Sequence, residues 1–209
     1  MSDASVFDED GLSPDEVMVP EGRSHRRVAE LCHVAVTHAL GSAWQVDANL
    51  NWYPLDGGGP VAPDVMVLPA GAGPPDARSY QQGPADPSPS AVIVVPSASD
   101  DVLTFRAKLR RLLSLGAVVY VAYADLAEVE RFTPADENAR RWLGQPCDEL
   151  GGIVFQVVDG MLGIWLGPDL VATSAPDLVG QLRSRADEAA ARAERLAAQL
   201  RASGLDPEA

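Results

Sequence analysis

The sequence predicts an α/β fold in which a mixed sheet is flanked by helices and a long helix follows at the C-terminus. Three observations carry this expectation. Residues 91–95 (AVIVV) are a continuous β-branched run, the pattern of a central strand covered on both faces. A helical period follows at 101–115, with Val102, Phe105, Leu109, Leu112 and Leu113 on one face, and leads into a second buried strand at 118–124. The stretch 176–203 repeats Val179, Leu182, Ala186, Ala189, Ala193, Leu196 and Leu200 at spacings of three and four, an a/d stripe over roughly three heptads.

Taken in order, residues 1–22 carry Asp3, Asp8, Glu9, Asp10, Asp15, Glu16 and Glu21 before the first basic residue, Arg23. Low hydrophobicity with uncompensated charge reads as an acidic disordered arm, and not as a signal or transit peptide. The arm precedes an α/β domain over 23–170 and a coiled-coil-like helix over 176–203. Ser24 reads as the N-cap of a first helix, in which Val28, Leu31, Cys32, Ala35, Ala39 and Leu40 recur at helical spacing until Gly41. Trp44, Val46, Ala48 and Leu50 alternate with polar residues, as in a strand with one buried face. Asp56-Gly57-Gly58-Gly59-Pro60 is a turn, 64–68 a short apolar strand, and the Pro- and Gly-dense 69–90 a long loop. Beyond 118–124, residues 128–132 read as an edge strand. A polar loop holding Cys147 then leads to a hairpin, 153–158 and 161–166, turning at Asp159-Gly160. Pro176 stands where the last helix can begin.

Composition removes several function classes. The 209 residues are 46% hydrophobic and 22% charged, enough for one buried core with appendages, and no apolar run is long enough to span a membrane. The net charge of −14 repels phosphate backbones and disfavours general nucleic-acid binding, although a local basic patch stays open. Every basic residue except Lys108 is arginine. Cys32 and Cys147 are too few for a disulfide framework and read as free thiols of a cytoplasmic protein. His33 and His38 are five apart rather than the four that would share a helical face, which argues against zinc. The three glycines at 57–59 are followed by proline and a strand, so they are not a phosphate loop, and no serine lies in a nucleophile elbow.

One constellation carries chemistry. Pro63-Asp64-Val65 places a carboxylate at the mouth of a strand. The central run continues into Pro96-Ser97-Ala98-Ser99, and Lys108 follows nine residues beyond Ser99 on the next helix, before Gly116 and a strand containing Tyr120. At these residues the chain resembles a family of candidate restriction endonucleases often labelled Uma-two, a branch of the PD-(D/E)XK nuclease superfamily. The family pattern is a helix opened by His, a Pro-Asp-Val strand, a Val-Val-Glu-Val-Leu-Ser-Pro-Ser strand, a Lys on the next helix, and Gly-Val-x-Glu-Tyr-Trp. Here His25, Pro63-Asp64-Val65, Ser97-Ala98-Ser99, Lys108, Gly116 and Tyr120 fit it, and the Arg/Ala-rich tail ending Leu-Arg-Ala-Ser-Gly-Leu-Asp-Pro is similar to that of many members. The likeness spans residues 24–206.

The resemblance implies a PD-(D/E)XK restriction-endonuclease-like core and a site in which two carboxylates hold Mg²⁺ and a lysine orients the attacking water. This chain departs from the pattern as a degenerate member. The family glutamate falls on Val94, and the Glu and Trp of the last motif fall on Val119 and Val121. Valine offers no oxygen to a hard cation. The expected remnant site is therefore Asp64 and Lys108, with His25 and Glu30 as accessory candidates. Asp64 would be a weak metal ligand or none, and no cofactor would be held unless a migrated acid such as Glu30 restores Mg²⁺ binding. Two functions follow from this. One is a catalytically inactive nuclease-fold module for binding, scaffolding or regulation, self-associating or meeting a protein partner through its C-terminal helix. The other is an active or residual Mg²⁺-dependent DNA endonuclease built on Asp64, Lys108 and Glu30.

Overall fold

Helix α1 (Arg23–Leu40) opens the described part of the chain. The computed structural model describes residues 22–72, 79–97, 100–167 and 170–203, so the acidic arm expected over 1–22 lies outside it apart from Gly22. The N-cap is Gly22, whose carbonyl accepts the Arg26 N–H at 3.1 Å. Ser24 thus lies inside the first turn and does not cap it. Gly41, at φ 61°, closes the helix as its sequence position suggests.

The strands follow as β1 (Trp44–Ala48), β2 (Asn51–Tyr53), β3 (Val65–Pro69), β4 (Ser79–Gln81) and β5 (Ala91–Val94). Helix α2 (Val102–Ser114) comes next, capped by the Asp101 carboxylate, which accepts the Thr104 N–H at 3.0 Å. Then come β6 (Val118–Tyr123), β7 (Glu128–Thr133), β8 (Asp136–Arg141), β9 (Pro146–Cys147), β10 (Ile153–Val158), β11 (Met161–Trp165) and β12 (Val171–Ala172). Helix α3 (Ala175–Ala202) ends the described chain, with Ser174 accepting the Asp177 N–H and Pro176 in its first turn. Among the described residues, no helix is long and apolar enough to cross a membrane.

The main sheet has six strands in the order β1-β3-β5-β6-β7-β8. All neighbours are antiparallel except β5 and β6, whose parallel pairing is made through the α2 crossover. The three strands expected to share one sheet, around 64–68, 91–95 and 118–124, are its centre. A mixed sheet flanked by helices and followed by a C-terminal helix is the architecture the sequence predicts.

Alternation along β3, β5 and β6 sorts the core into two layers. Val65, Val67, Ala91, Ile93, Val95, Tyr120 and Ala122 pack toward α1, together with Val28, Leu31, Cys32, Ala35 and Val36. Met66, Leu68, Val92, Val94, Val119 and Val121 pack on the opposite side, where Leu112 and Leu113 of α2 are buried and Phe105 and Leu109 are half-buried. The expected hairpin is β10–β11, with positive φ at both Asp159 and Gly160. It is the middle of a second, four-stranded sheet, β12-β11-β10-β9, whose Phe155, Leu162 and Ile164 cover α1. Arg27 ties the two together, donating to the carbonyls of Leu162 (3.1 Å) and Thr173.

Besides the Ser24 cap, four expectations need correction. The 69–90 stretch is not all loop, because β4 pairs in parallel with β2 and buries Tyr80 beside Trp52. Residues 128–132 are not the edge strand, because β8 lies outside them. Cys147 lies not in an open polar loop but on β9, fully buried. The alternation over 44–50 does not give one strand with a buried face: β1 ends at Ala48, Asn49 takes φ 52°, and Trp44 is 37% exposed.

Candidate functional site

Asp64 precedes the first residue of β3, yet its backbone is already stitched into the sheet. Its N–H donates to the Ile93 carbonyl at 3.0 Å and its own carbonyl accepts the Asn49 N–H at 3.1 Å. The side chain is buried at 8% exposure, and both oxygens are engaged. Oδ2 accepts the Val95 N–H at 2.8 Å, and Oδ1 lies 3.0 Å from Nε2 of His25, itself buried in the first turn of α1. His25 and Asp64, both singled out in the sequence, are therefore brought together.

Next to this pair is a cleft of about 480 Å³ lined by Arg26, Glu30, His33, Asn49 and Asp64, among others. The spacing of Arg26, Glu30 and His33, four and then three residues apart, sets one row of α1 along it. His33 is positioned by donating from Nε2 to the Val46 carbonyl at 3.1 Å. Glu30 is solvent-exposed. Glu30 and Asp64 thus share a cleft, with Glu30 at its open wall and Asp64 at its buried one.

Val94 and Lys108 are elsewhere. The β3–β5 register pairs Val65 with Ile93, so Val94 falls opposite Asp64 along the backbone. Its side chain nevertheless points to the α2 layer, 3% exposed among Val92, Val119 and Val121. Lys108 is half-buried on α2, and among the described residues no hydrogen bond or ion pair joins it to Asp64. The residues of β5 that face α1 are Ile93 and Val95. Of the Ser97-Ala98-Ser99 motif, only Ser97 lies within the described residues. Its N–H donates to the Asp100 carboxylate at 2.8 Å.

The donor set does not fit a two-carboxylate Mg²⁺ site. Mg²⁺ requires oxygen ligands in near-octahedral array. Here Asp64 is the one buried acid among the described residues, each of its oxygens already accepts from a protein donor, and the strand beside it offers valine and isoleucine. Among the described residues, no group of three or more His, Cys, Asp or Glu side chains is placed to hold a metal ion.

A second polar cluster went unnoticed in the sequence. The Tyr120 hydroxyl donates to Glu149 at 2.6 Å, Arg131 pairs with the other Glu149 oxygen, and Arg131 Nε donates to Tyr120 at 3.2 Å. The guanidinium also lies 4.7 Å from the Trp142 ring centroid, a cation–π distance. Burial pushes the Tyr120 hydroxyl far above its ordinary range, reinforced by the neighbouring Cys147 and by Glu149. Burial likewise pushes the Cys147 thiol up to about 12. Burial raises the Glu149 carboxyl, but hydrogen bonds from Tyr120, the backbone and Arg131 outweigh it and the net shift is downward. A phenol and a thiol held protonated and a carboxylate held ionised make this a structural lock between the two sheets. Nothing in the spacing of Tyr120, Arg131 and Glu149 announces it, since each comes from a different element.

The glycine triplet also has a structural role. Arg111 of α2 holds both oxygens of Asp56 in a bidentate pair, and a Cβ at Gly58 would fall 2.3 Å from Arg111 Nη2. The Arg111 hydrogen bond brings the Asp56 carboxyl down to about 2. The turn wraps a guanidinium and not a phosphate.

No protein-family model matches the chain. No curated protein matches it either. In fold, the chain is similar to the crystal structure of a candidate nuclease of the DUF820 family from Anabaena variabilis, at 14% identity over 62% of this chain and 71% of that one, with a TM-score of 0.49.

Proposed function

We propose that this protein is a nuclease-fold module without metal-dependent cleavage, which serves as a binding or scaffolding element and self-associates through α3. The observation that carries the reading is the state of Asp64. Its two oxygens contact His25 and the Val95 N–H, and among the described residues no second acid is buried beside it. The positions that the motif would fill with Glu, Glu and Trp are the buried valines 94, 119 and 121. A cation at Asp64 would gain one protein ligand beside these two contacts and would take the rest of its shell from water. Buried free thiols at Cys32 and Cys147 accord with a reducing, cytoplasmic setting. No cofactor is part of this reading.

The test is incubation of the protein with supercoiled plasmid and with single-stranded DNA in Mg²⁺ or Mn²⁺. The expected result is no nicking above the metal-free control. Cleavage that disappears in Asp64→Ala would overturn the proposal.

The shared cleft of Glu30 and Asp64 favours one alternative, a residual Mg²⁺-dependent DNA endonuclease. In that reading Arg26, which lines the same cleft, would take the cationic role that the motif gives to Lys108. In that case Glu30→Gln would abolish cleavage as fully as Asp64→Ala.

A further inference from the structure

Helix α3 leaves its domain. At 28 residues it is about 42 Å long, using 1.5 Å per residue. Its first turns pack on α1 and β12, where Leu178 is buried and Leu182 lies at the edge of the core. Beyond Leu182 no residue of the helix is buried, and Leu196 and Leu200 are 51% and 39% exposed. The stripe Ala186, Ala189, Ala193, Leu196 and Leu200 therefore runs along a part of the helix in which no residue is buried.

The residues flanking the stripe say which neighbour fits. On one flank stand Arg183, Ala190 and Ala197, and on the other Arg185, Arg192 and Gln199. In a parallel, in-register pair each residue of the second flank faces the residue five further on in the first flank of the other copy. Arg185 then meets Ala190, and Arg192 meets Ala197. The arginine stems lie over alanine methyls and cover the seam while the guanidinium groups reach water or the outward Asp187, Glu188 and Glu194. In an antiparallel pair each flank faces itself, and Arg185 opposes Arg192 twice, placing like charges together. The alanines at 186, 189 and 193 let two backbones approach closely, and Leu196 and Leu200 supply the large layers at the far end.

We infer that the free part of α3 pairs with α3 of a second copy as a parallel, in-register coiled coil, which holds both domains at the same end of the pair. This rests on the self-association reading above and specifies its geometry. Leu200→Cys tests it, because Leu200 is exposed in the chain and its replacement leaves the fold alone. Cys32 and Cys147 are fully buried and do not compete for oxidant in the native protein. With diamide, two copies of Leu200→Cys are expected to form a covalent dimer, whereas Arg195→Cys on the outer face stays single. In sedimentation the full chain is expected at twice 22.1 kDa, and deletion of 183–209 returns it to one copy. A dimer by mass without the Leu200→Cys crosslink overturns the parallel geometry and leaves self-association standing. A single copy at every concentration overturns both.

Discussion

The two faces of the main sheet are made by the same strands, yet they carry opposite chemistry. Toward α1, the strand mouths hold polar groups: Asp64 with His25 and the Val95 N–H, and Tyr120 with Glu149 and Arg131. Toward α2, the same stretch of β5 and β6 presents Val94, Val119 and Val121, buried on Leu112 and Leu113. Residues adjacent in sequence thus answer to different rules. Val94 can become apolar without touching Asp64, because Val94 packs in the α2 layer while Asp64, which precedes β3 and is outside its alternation, turns its carboxylate to His25 on the α1 side. The comparison teaches that the valine at the motif position belongs to core packing, and that the remnant polar site is held together on its own side.

The sharpest way to break this contrast is Val94→Glu. If Val94 lies in the α2 layer, the new carboxylate enters a dry site without a partner and costs about 3–5 kcal/mol. Chemical denaturation should read that loss, and calorimetry should find no gain in Mg²⁺ binding. A stable variant that binds Mg²⁺ would show that position 94 faces Asp64 after all.

A smaller effect is expected on the α1 side. Asp64→Ala removes the acceptor of the Val95 N–H and of His25 Nε2, and should lower stability by about 1–3 kcal/mol. Asp64→Asn keeps an acceptor for the Val95 N–H and should lose less. If both substitutions leave the denaturation midpoint unchanged, the carboxylate is not a structural tie and is free for another task.

The smallest effect belongs to the turn under α2. The Asp56 carboxyl is brought from an ordinary 3.8 down to about 2 in the folded chain by Arg111. A depressed acid contributes stability that is present above the unfolded value and is lost as pH falls through the folded one. Stability should therefore decline between about pH 4 and pH 2, with a shallower decline in Asp56→Asn. The pair is solvent-exposed, so added salt should weaken the effect.

How much of this was legible depends on what each element shows locally. The centre of the sheet, both later helices and the β10–β11 hairpin were readable because burial imposes a period or an unbroken β-branched run. The β2–β4 pair was not, because three-residue strands in a Pro- and Gly-rich context are held by a partner far along the chain. Strand β8 escaped because Asp136 to Arg141 is almost wholly exposed and has no apolar face to read. In the site, Pro63-Asp64-Val65 marked the acid and His25 marked the helix. What could not be read was that both Asp64 oxygens are taken, or that Lys108 belongs to a helix on the other layer. Those are facts of topology, which strand order decides and local pattern does not.

Arg27 carries a consequence for how the chain comes into being. Its guanidinium reaches carbonyls 135 and 146 residues further along the sequence. During synthesis α1 emerges well before β10, β11 and β12, which cover its apolar face. Val28, Leu31, Cys32 and Ala35 must wait, uncovered on that side, until Thr173 is available. Contacts of such long range are slow to close and leave a partly built intermediate prone to sticking. The contact between the second sheet and α1 is therefore a long-range closure, and a chain cut before Thr173 is expected to leave the α1 face uncovered and to aggregate more readily than the whole chain, which light scattering would read.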